Sequence, residues 1–404
     1  MLGKDIMSAT AISVPLAANR LKTFQLTAAY FAAFVALGLT TGSLGPTLTS
    51  LAEQTHVGLR AISYVFTARS LGYVLGSVRG GKLFDRRAGN PVMAAMLVMM
   101  SIAMALIPLT SRLWLLLLGM FVLGVAEAGC DVGANTLLGW VHGNRVAPFM
   151  NAMHSFFGVG ALLAPIVVAQ TALLSYPTSY SYFVLALLLL PAAAFTLCLP
   201  SPIATTPKNN DRPATRNGRM VFLIALFLFL YVGAEVGFAG WIVTYAIKLK
   251  LSGDTTATYL ASLFWGSLTL GRILTIPAAA RFRSRTILMI SLAGCFLSLA
   301  VLWLRHDSFS ATLLGTMGLG LSMASIFPTI LSFAGKQMKM TGHVTGWFVF
   351  GASAGSMLIP LGIGQAFQVV GPRVVILLTS VALLVAVGVF AAMIRSSKLV
   401  ENNS

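Results

Sequence analysis

The chain has 404 residues, 57% of them hydrophobic and 9% charged, with a formal net charge of +17. A soluble domain carries about 25% charged residues, so this composition excludes an ordinary water-soluble globule. Apolar runs of about 20 residues recur along the chain, each long enough to cross a bilayer as a helix. Strand-period alternation is absent, which argues against a β-barrel. The fold class is an all-α membrane protein with twelve transmembrane helices.

In chain order, residues 1–23 read as an N-terminal tail without the basic-apolar-small pattern of a cleavable signal. Six spans follow at 24–48, 61–81, 91–110, 113–138, 148–170 and 181–200, forming a first bundle over 24–200. Residues 201–219, rich in Pro, Thr, Asn and Arg, read as a linker. Spans at 220–247, 257–278, 286–305, 311–333, 343–368 and 373–395 form a second bundle over 220–395, and 396–404 a C-terminal tail. Of the 27 Lys and Arg, nineteen fall on the side of the tails and linker and six opposite, with Arg69 and Arg272 inside spans. This positive-inside asymmetry places both termini in the cytoplasm, and the expected location is the plasma (cytoplasmic, or inner) membrane. It also accounts for the basic charge without a nucleic acid. The expected partners are the lipid bilayer and a small-molecule solute, and the expected state is a monomer. Cys130, Cys198 and Cys295 fall within spans at unrelated spacings and support neither a disulfide framework nor a metal site. No cofactor is expected beyond a coupling ion, H⁺ or Na⁺.

The second bundle repeats the first. A shift of 195 residues places Gly38, Gly42 and Gly45 on Gly233, Gly237 and Gly240, Tyr64 on Tyr259, Gly76 on Gly271 and Arg86 on Arg281. The same shift takes Gly160, Pro165 and Gln170 to Gly355, Pro360 and Gln365, and one more residue takes Gly119 and Gly124 to Gly315 and Gly320. Equal numbers of spans give the halves the same topology about an axis along the membrane normal, with a site at the midplane between them. The matched glycines suit close helix packing in lipid.

Two six-helix halves with "GGKLFDRRAGN" (80–90) between the second and third spans resemble the major facilitator superfamily. Gly81, Asp85, Arg86 and Gly89 match its loop signature, with one extra residue before Gly89 and Asn90 where a basic residue is usual. "YVGAEVGFAGWIVTY" (231–245), "FWGSLTLGR" (264–272) and "FPTILS" (327–332) resemble the branch containing fucose permeases and sodium-dependent glucose transporter-like proteins. The resemblance implies conformational gating by the loop signature. In it a loop arginine pairs with the cytoplasmic end of the fourth helix, here Arg86 with Asp131, for which a substrate role is the equal alternative; Asp85 reads as a latch that caps the eleventh helix near 342–344 and meets its positive dipole.

Three of the ten acidic residues, Glu127, Asp131 and Glu235, fall inside spans. A charge at the bilayer centre costs roughly 2.5–3.5 kcal/mol on insertion scales, so each is a functional candidate. Glu127, Asp131 and Asn135, four residues apart, form one polar stripe across about 80° of a helix, with Glu127 near mid-span. The resemblance implies a proton-coupling carboxylate on this helix, at the place Glu127 holds; a buried structural hydrogen-bonding role is the alternative. The family's second carboxylate, on the first span, has no equivalent here. By the repeat, Glu235 stands opposite Thr40 across the pseudo-axis. His154 can hydrogen-bond a sugar or relay a proton, or pack. Trp241 offers a ring for the C–H face of a sugar, with Trp265, Gln170 and Gln365 as further candidates; both tryptophans also read as packing or interfacial anchors. Arg69 is expected to neutralise Glu127 or Glu235, or to bind an anionic group, and Arg272 to snorkel toward the headgroups.

No phosphate-binding G-x-x-x-x-G-K-[ST] loop is present, which argues against ATP-driven transport. No nucleophile or metal cluster points to an enzyme, and no long soluble segment to a receptor. The leading reading is a secondary active transporter that moves a sugar or similar polar solute by alternating access, coupled to H⁺ or Na⁺. The alternative is a proton-coupled exporter of drug-like or amphipathic compounds.

Overall fold

Inside a bilayer every backbone N–H and C=O is satisfied within the chain, which leaves helices as the form open to long apolar runs. The computed structural model describes residues 16–202, 218–338 and 341–401, and the described residues contain helices and no strand. The long helices are α1 (Leu16–Gln54), α2 (Tyr64–Arg86), α3 (Gly89–Leu106), α4 (Leu113–His142), α5 (Val146–Leu173) and α6 (Thr178–Leu197). After the 203–217 segment come α7 (Gly218–Lys248), α8 (Asp254–Arg281), α9 (Ser284–Leu304), α10 (Phe309–Gln337), α11 (Gly342–Val370) and α12 (Val374–Glu401). Eleven of these are long and apolar enough to cross a membrane by composition alone. The exception is α2, which carries Arg69 and Arg79 among its 23 residues and packs between α4 and α11.

Glycines set the packing. Within the first six helices α1 packs on α5, α2 on α4 and α3 on α6; within the last six, α7 packs on α11 and α8 on α10. A Cβ on Gly38 would lie 2.9 Å from the Cα of Gly160, and one on Gly233 would lie 2.7 Å from the carbonyl oxygen of Gly355. The same contact is thus made twice, at positions 195 residues apart. It recurs between α2 and α4, where a Cβ on Gly124 would lie 2.0 Å from the Arg69 oxygen. Between α8 and α10, a Cβ on Gly320 would lie 2.6 Å from the Phe264 oxygen. Arg69 and Phe264 are again 195 apart, so the place of a half-buried arginine in one set is filled by a phenylalanine in the other.

Helix α10 is broken at Ala324–Ser325. Pro328 explains the break: its ring nitrogen cannot bond the carbonyl of Ala324 four residues back, and its ring crowds that carbonyl.

The two sets of six meet along α1–α7, α2–α11 and α5–α8. At the end opposite the 203–217 segment, here the far end, the contacts are close. Arg60 Nε donates to Gln365 Oε1 at 2.8 Å, Gln365 Nε2 donates to the Arg60 oxygen at 2.9 Å, and Gln170 Nε2 donates to Tyr259 Oη at 2.9 Å. Deeper contacts on these faces are Ser70 with Ser356 at 3.2 Å and Arg272 Nη1 with the His154 oxygen at 3.4 Å. Beyond them, toward the linker end, the surfaces separate. Helix α8 is mostly buried over 257–271 and mostly exposed over 273–282, and α11 is mostly exposed over 345–350. A wedge therefore opens between the sets at the linker end and closes at the far end.

Candidate functional site

Two short ladders face each other across α2 and α4. Gly72, Gly76 and Gly124 bring these helices close enough that a Cβ would collide with the opposing backbone. On α2 the ladder is Arg69 and Tyr73, one turn apart; on α4 it is Glu127, Asp131 and Asn135. Arg69 Nε and Nη2 donate to the two carboxylate oxygens of Glu127, each at 2.8 Å, and Nη2 also donates to Thr41 Oγ1 of α1 at 2.8 Å. The Glu127 side chain is 3% exposed and that of Arg69 16%. A bidentate fork of this kind is the strongest arrangement open to a guanidinium and a carboxylate. A turn closer to the linker end, Tyr73 Oη donates to Asp131 Oδ2, and Asn135 Nδ2 donates to Asp131 Oδ1 and to the Asp131 backbone oxygen, both at 2.9 Å. Tyr73, Asp131 and Asn135 are half-buried, so a polar path runs from the Arg69–Glu127 pair toward the wedge.

In the second set Glu235 is buried on α7, and Tyr231 Oη, one turn earlier, lies in hydrogen-bond contact with its carboxyl. The same hydroxyl reaches the Met323 carbonyl oxygen at 2.9 Å, at the end of the first segment of α10. Arg272, on α8, exerts its charge on both Glu235 and His154.

Several sequence expectations change. Arg69 pairs with Glu127, one of the partners expected of it. Asp131 bonds Tyr73 and Asn135, while Arg86 is exposed and makes no bond with it among the described residues, so the expected Arg86–Asp131 gate is not formed. Thr40 is buried and bonds the Leu37 oxygen of its own helix at 2.9 Å; its neighbour Thr41 joins the site instead. Trp241 is fully buried, donates Nε1 to the Pro360 oxygen at 3.0 Å and stacks on Phe367 at 5.3 Å, so it packs and offers no face to a solute. Trp265 is likewise buried, between Phe157 and Phe264. Gln170 and Gln365 sit in the far-end contacts and not at the midplane. His154 is exposed where the wedge begins, its ring edge-on to Phe34. Arg272 turns into the interface between the sets, not to the headgroups. Gly89 packs against the Leu137 side chain, whereas Gly81 has open space around it. The latch expected of Asp85 lies outside the described residues. Tyr73, Thr41 and Tyr231 were not singled out from sequence. The four-residue spacing of Arg69 with Tyr73, and of Tyr231 with Glu235, is the signal that finds two of them.

A groove of about 380 Å³ between α2, α3 and α4 is apolar, with Arg79 and Arg86 at its rim, and excludes the polar ladders.

Comparison with known proteins agrees with this architecture. The family model described as Major Facilitator Superfamily matches residues 29–360. The chain is 31% identical over 352 residues to a Xenopus laevis protein named Sodium-dependent glucose transporter 1, covering 80% of this chain and 72% of that one. It is 27% identical over 451 residues to Major facilitator superfamily domain-containing protein 4A of Pongo abelii, covering 87% and 88%. Among solved structures, a mutant of the nucleoside transporter NupG superposes with a TM-score of 0.74 at 17% identity, over 92% of this chain and 99% of that one.

Proposed function

Because the chain belongs to the major facilitator superfamily, we propose that it carries a sugar or similar polyhydroxylated solute across the membrane by alternating access, driven by a cation gradient. The observation that carries this reading is the Arg69–Glu127–Thr41 cluster, continued by Tyr73, Asp131 and Asn135 toward the wedge. It gathers donors and acceptors at mid-depth, as a solute with many hydroxyls requires. The likeness to proteins named sodium-dependent glucose transporters supports the same substrate class.

In this mechanism Glu127 is the coupling residue. A cation arriving at its carboxylate replaces Arg69 as the neutralising partner, and the freed guanidinium and Thr41 hydroxyl turn to the solute. The two six-helix sets rock between a form open at the linker end and one open at the far end. With both termini and the linker cytoplasmic, as the charge asymmetry implies, the present form is open to the cytoplasm, and Arg60, Gln365, Gln170 and Tyr259 hold the outer side shut.

The test is uptake of labelled sugars into proteoliposomes, with proton and sodium gradients imposed separately on wild type and Glu127→Gln. Gradient-driven uptake that Glu127→Gln abolishes while solute exchange persists supports the reading. No sugar flux under either gradient overturns it in favour of the exporter.

A further inference from the structure

Hydrogen-bond stoichiometry around Glu235 carries an inference about the second buried acid. Tyr231 is fully buried, and its hydroxyl touches two oxygens, the Glu235 carboxyl and the Met323 carbonyl. A phenol has one proton to donate, and a backbone carbonyl can only accept. If Tyr231 gives its proton to Glu235, the Met323 oxygen faces a lone pair at 2.9 Å with nothing between them. If Tyr231 gives its proton to Met323, its contact with Glu235 needs a proton on the carboxyl. With one proton per bond and none shared, the arrangement that satisfies both contacts is the one in which Glu235 donates to Tyr231 and Tyr231 donates to Met323.

We propose that Glu235 is a proton-carrying site, neutral in this conformation and wired through Tyr231 to the Met323 carbonyl at the break of α10. The contrast with Glu127 is direct. That acid accepts from the Arg69 fork at both oxygens, whereas Glu235 has no cation bonded to it among the described residues. By the repeat, the positions of Arg69 and Glu127 correspond to Phe264 and Met323, so the second set lacks the built-in counter-charge.

The groups that face Glu235 are few. Tyr231 lies on its own helix, Arg272 reaches it electrostatically from α8, and Cys295 of α9 lies near Tyr231. The membrane-embedded stretches of α1, α10, α11 and α12 bring no acid, base or thiol against α7. Arg272 is therefore the cation available to take the proton's place. Its Nε is buried without a hydrogen-bond partner among the described residues, and its Nη1 makes only a long bond to the His154 oxygen across the two sets. That bond sits where the wedge begins, so it does not survive movement of the wedge unchanged. When it breaks, the guanidinium pairs with the carboxylate, and the proton leaves Glu235 for water in the wedge. The inference deepens the transport reading by naming H⁺ as a coupling ion.

The first test needs no transport. The chain has four glutamates, Glu53, Glu127, Glu235 and Glu401. Labelling their side-chain carboxyl carbons with ¹³C and recording magnetic resonance spectra of the lipid-reconstituted protein at neutral pH should show one protonated carboxyl and three ionised ones. The protonated signal should vanish in Glu235→Gln, whose amide can still donate to Tyr231, and remain in Glu127→Gln. Four ionised carboxyls in wild type overturn the proposal, with no variant having to fold. So does a protonated signal that survives Glu235→Gln. For the release step, Arg272→Gln should keep that signal and solute exchange but lose proton-driven accumulation. Accumulation equal to wild type overturns the role of Arg272. A protein that shows the protonated carboxyl but moves no sugar refutes the transport reading alone.

Discussion

Glu127→Gln is the perturbation whose size the structure bounds best. It removes the charge that compensates Arg69, whose side chain stays 16% exposed, while leaving Thr41 Oγ1 and one amide oxygen as acceptors. Stranding one partner of a buried ion pair costs about 3–5 kcal/mol. The residual exposure and surviving acceptors put this case near the lower end, at about 3 kcal/mol. Replacing Arg69 as well removes the stranded charge, so Glu127→Gln/Arg69→Gln should be more stable than Glu127→Gln alone. The assay is equilibrium unfolding in mixed micelles, run as a double-mutant cycle. A coupling of about 2 kcal/mol is expected. Additivity within about 0.5 kcal/mol, as for independent sites, would refute the reasoning that this pair is a buried, mutually compensating unit.

Three further outcomes follow from the packing. Gly38→Ala places a Cβ 2.0 Å from the backbone oxygen of Phe157, which no side-chain rotation relieves, whereas Gly139→Ala meets nothing within 4 Å; the first should yield little monodisperse protein on size-exclusion chromatography and the second a wild-type yield. Trp241→Phe keeps a ring on Phe367 and loses one buried hydrogen bond, so stability should fall by about 1 kcal/mol with the KM for solute unchanged in uptake assays. Gln365→Leu removes the paired bonds with Arg60, about 1 kcal/mol each, and should raise the population open at the far end by about 30-fold. This is read as faster modification of Ser356→Cys by an impermeant thiol reagent added on the outer side.

What the sequence disclosed depended on whether the signal was local. The α4 stripe was legible because Glu127, Asp131 and Asn135 repeat every four residues on one helix. The glycine pairs were legible because lipid-embedded packing leaves a sequence mark at both ends of a contact, as at Gly38–Gly160 and Gly233–Gly355. The partners of the acids were harder. Tyr73 and Tyr231 read as apolar aromatics until a carboxylate is placed within a turn of their hydroxyls. Trp241 misled because a ring near polar groups suits a sugar, and nothing in its neighbourhood announces that Pro360 and Phe367 of α11 enclose it. Gln170 and Gln365 were recognised as a matched pair, but their depth depends on which end of the molecule is closed, and no periodicity records that.

The contact between Gly45 and the Ala239–Gly240 backbone has a mechanical meaning. A Cβ on Gly45 would lie 2.6 Å from the Ala239 oxygen and 3.3 Å from the Cα of Gly240, its own counterpart in the repeat. Main chain rests on main chain there, so at this point one set can roll on the other with no side chain in between. The bearing is also off-centre. Over its membrane-crossing stretch, Arg20–Gln54, helix α1 continues nine residues past Gly45 but 25 residues back, arms of about 14 and 38 Å at helical rise. A tilt that parts the far-end glutamine contacts by one bond length thus sweeps the opposite end through nearly three times that distance, so a small latch governs a wide mouth.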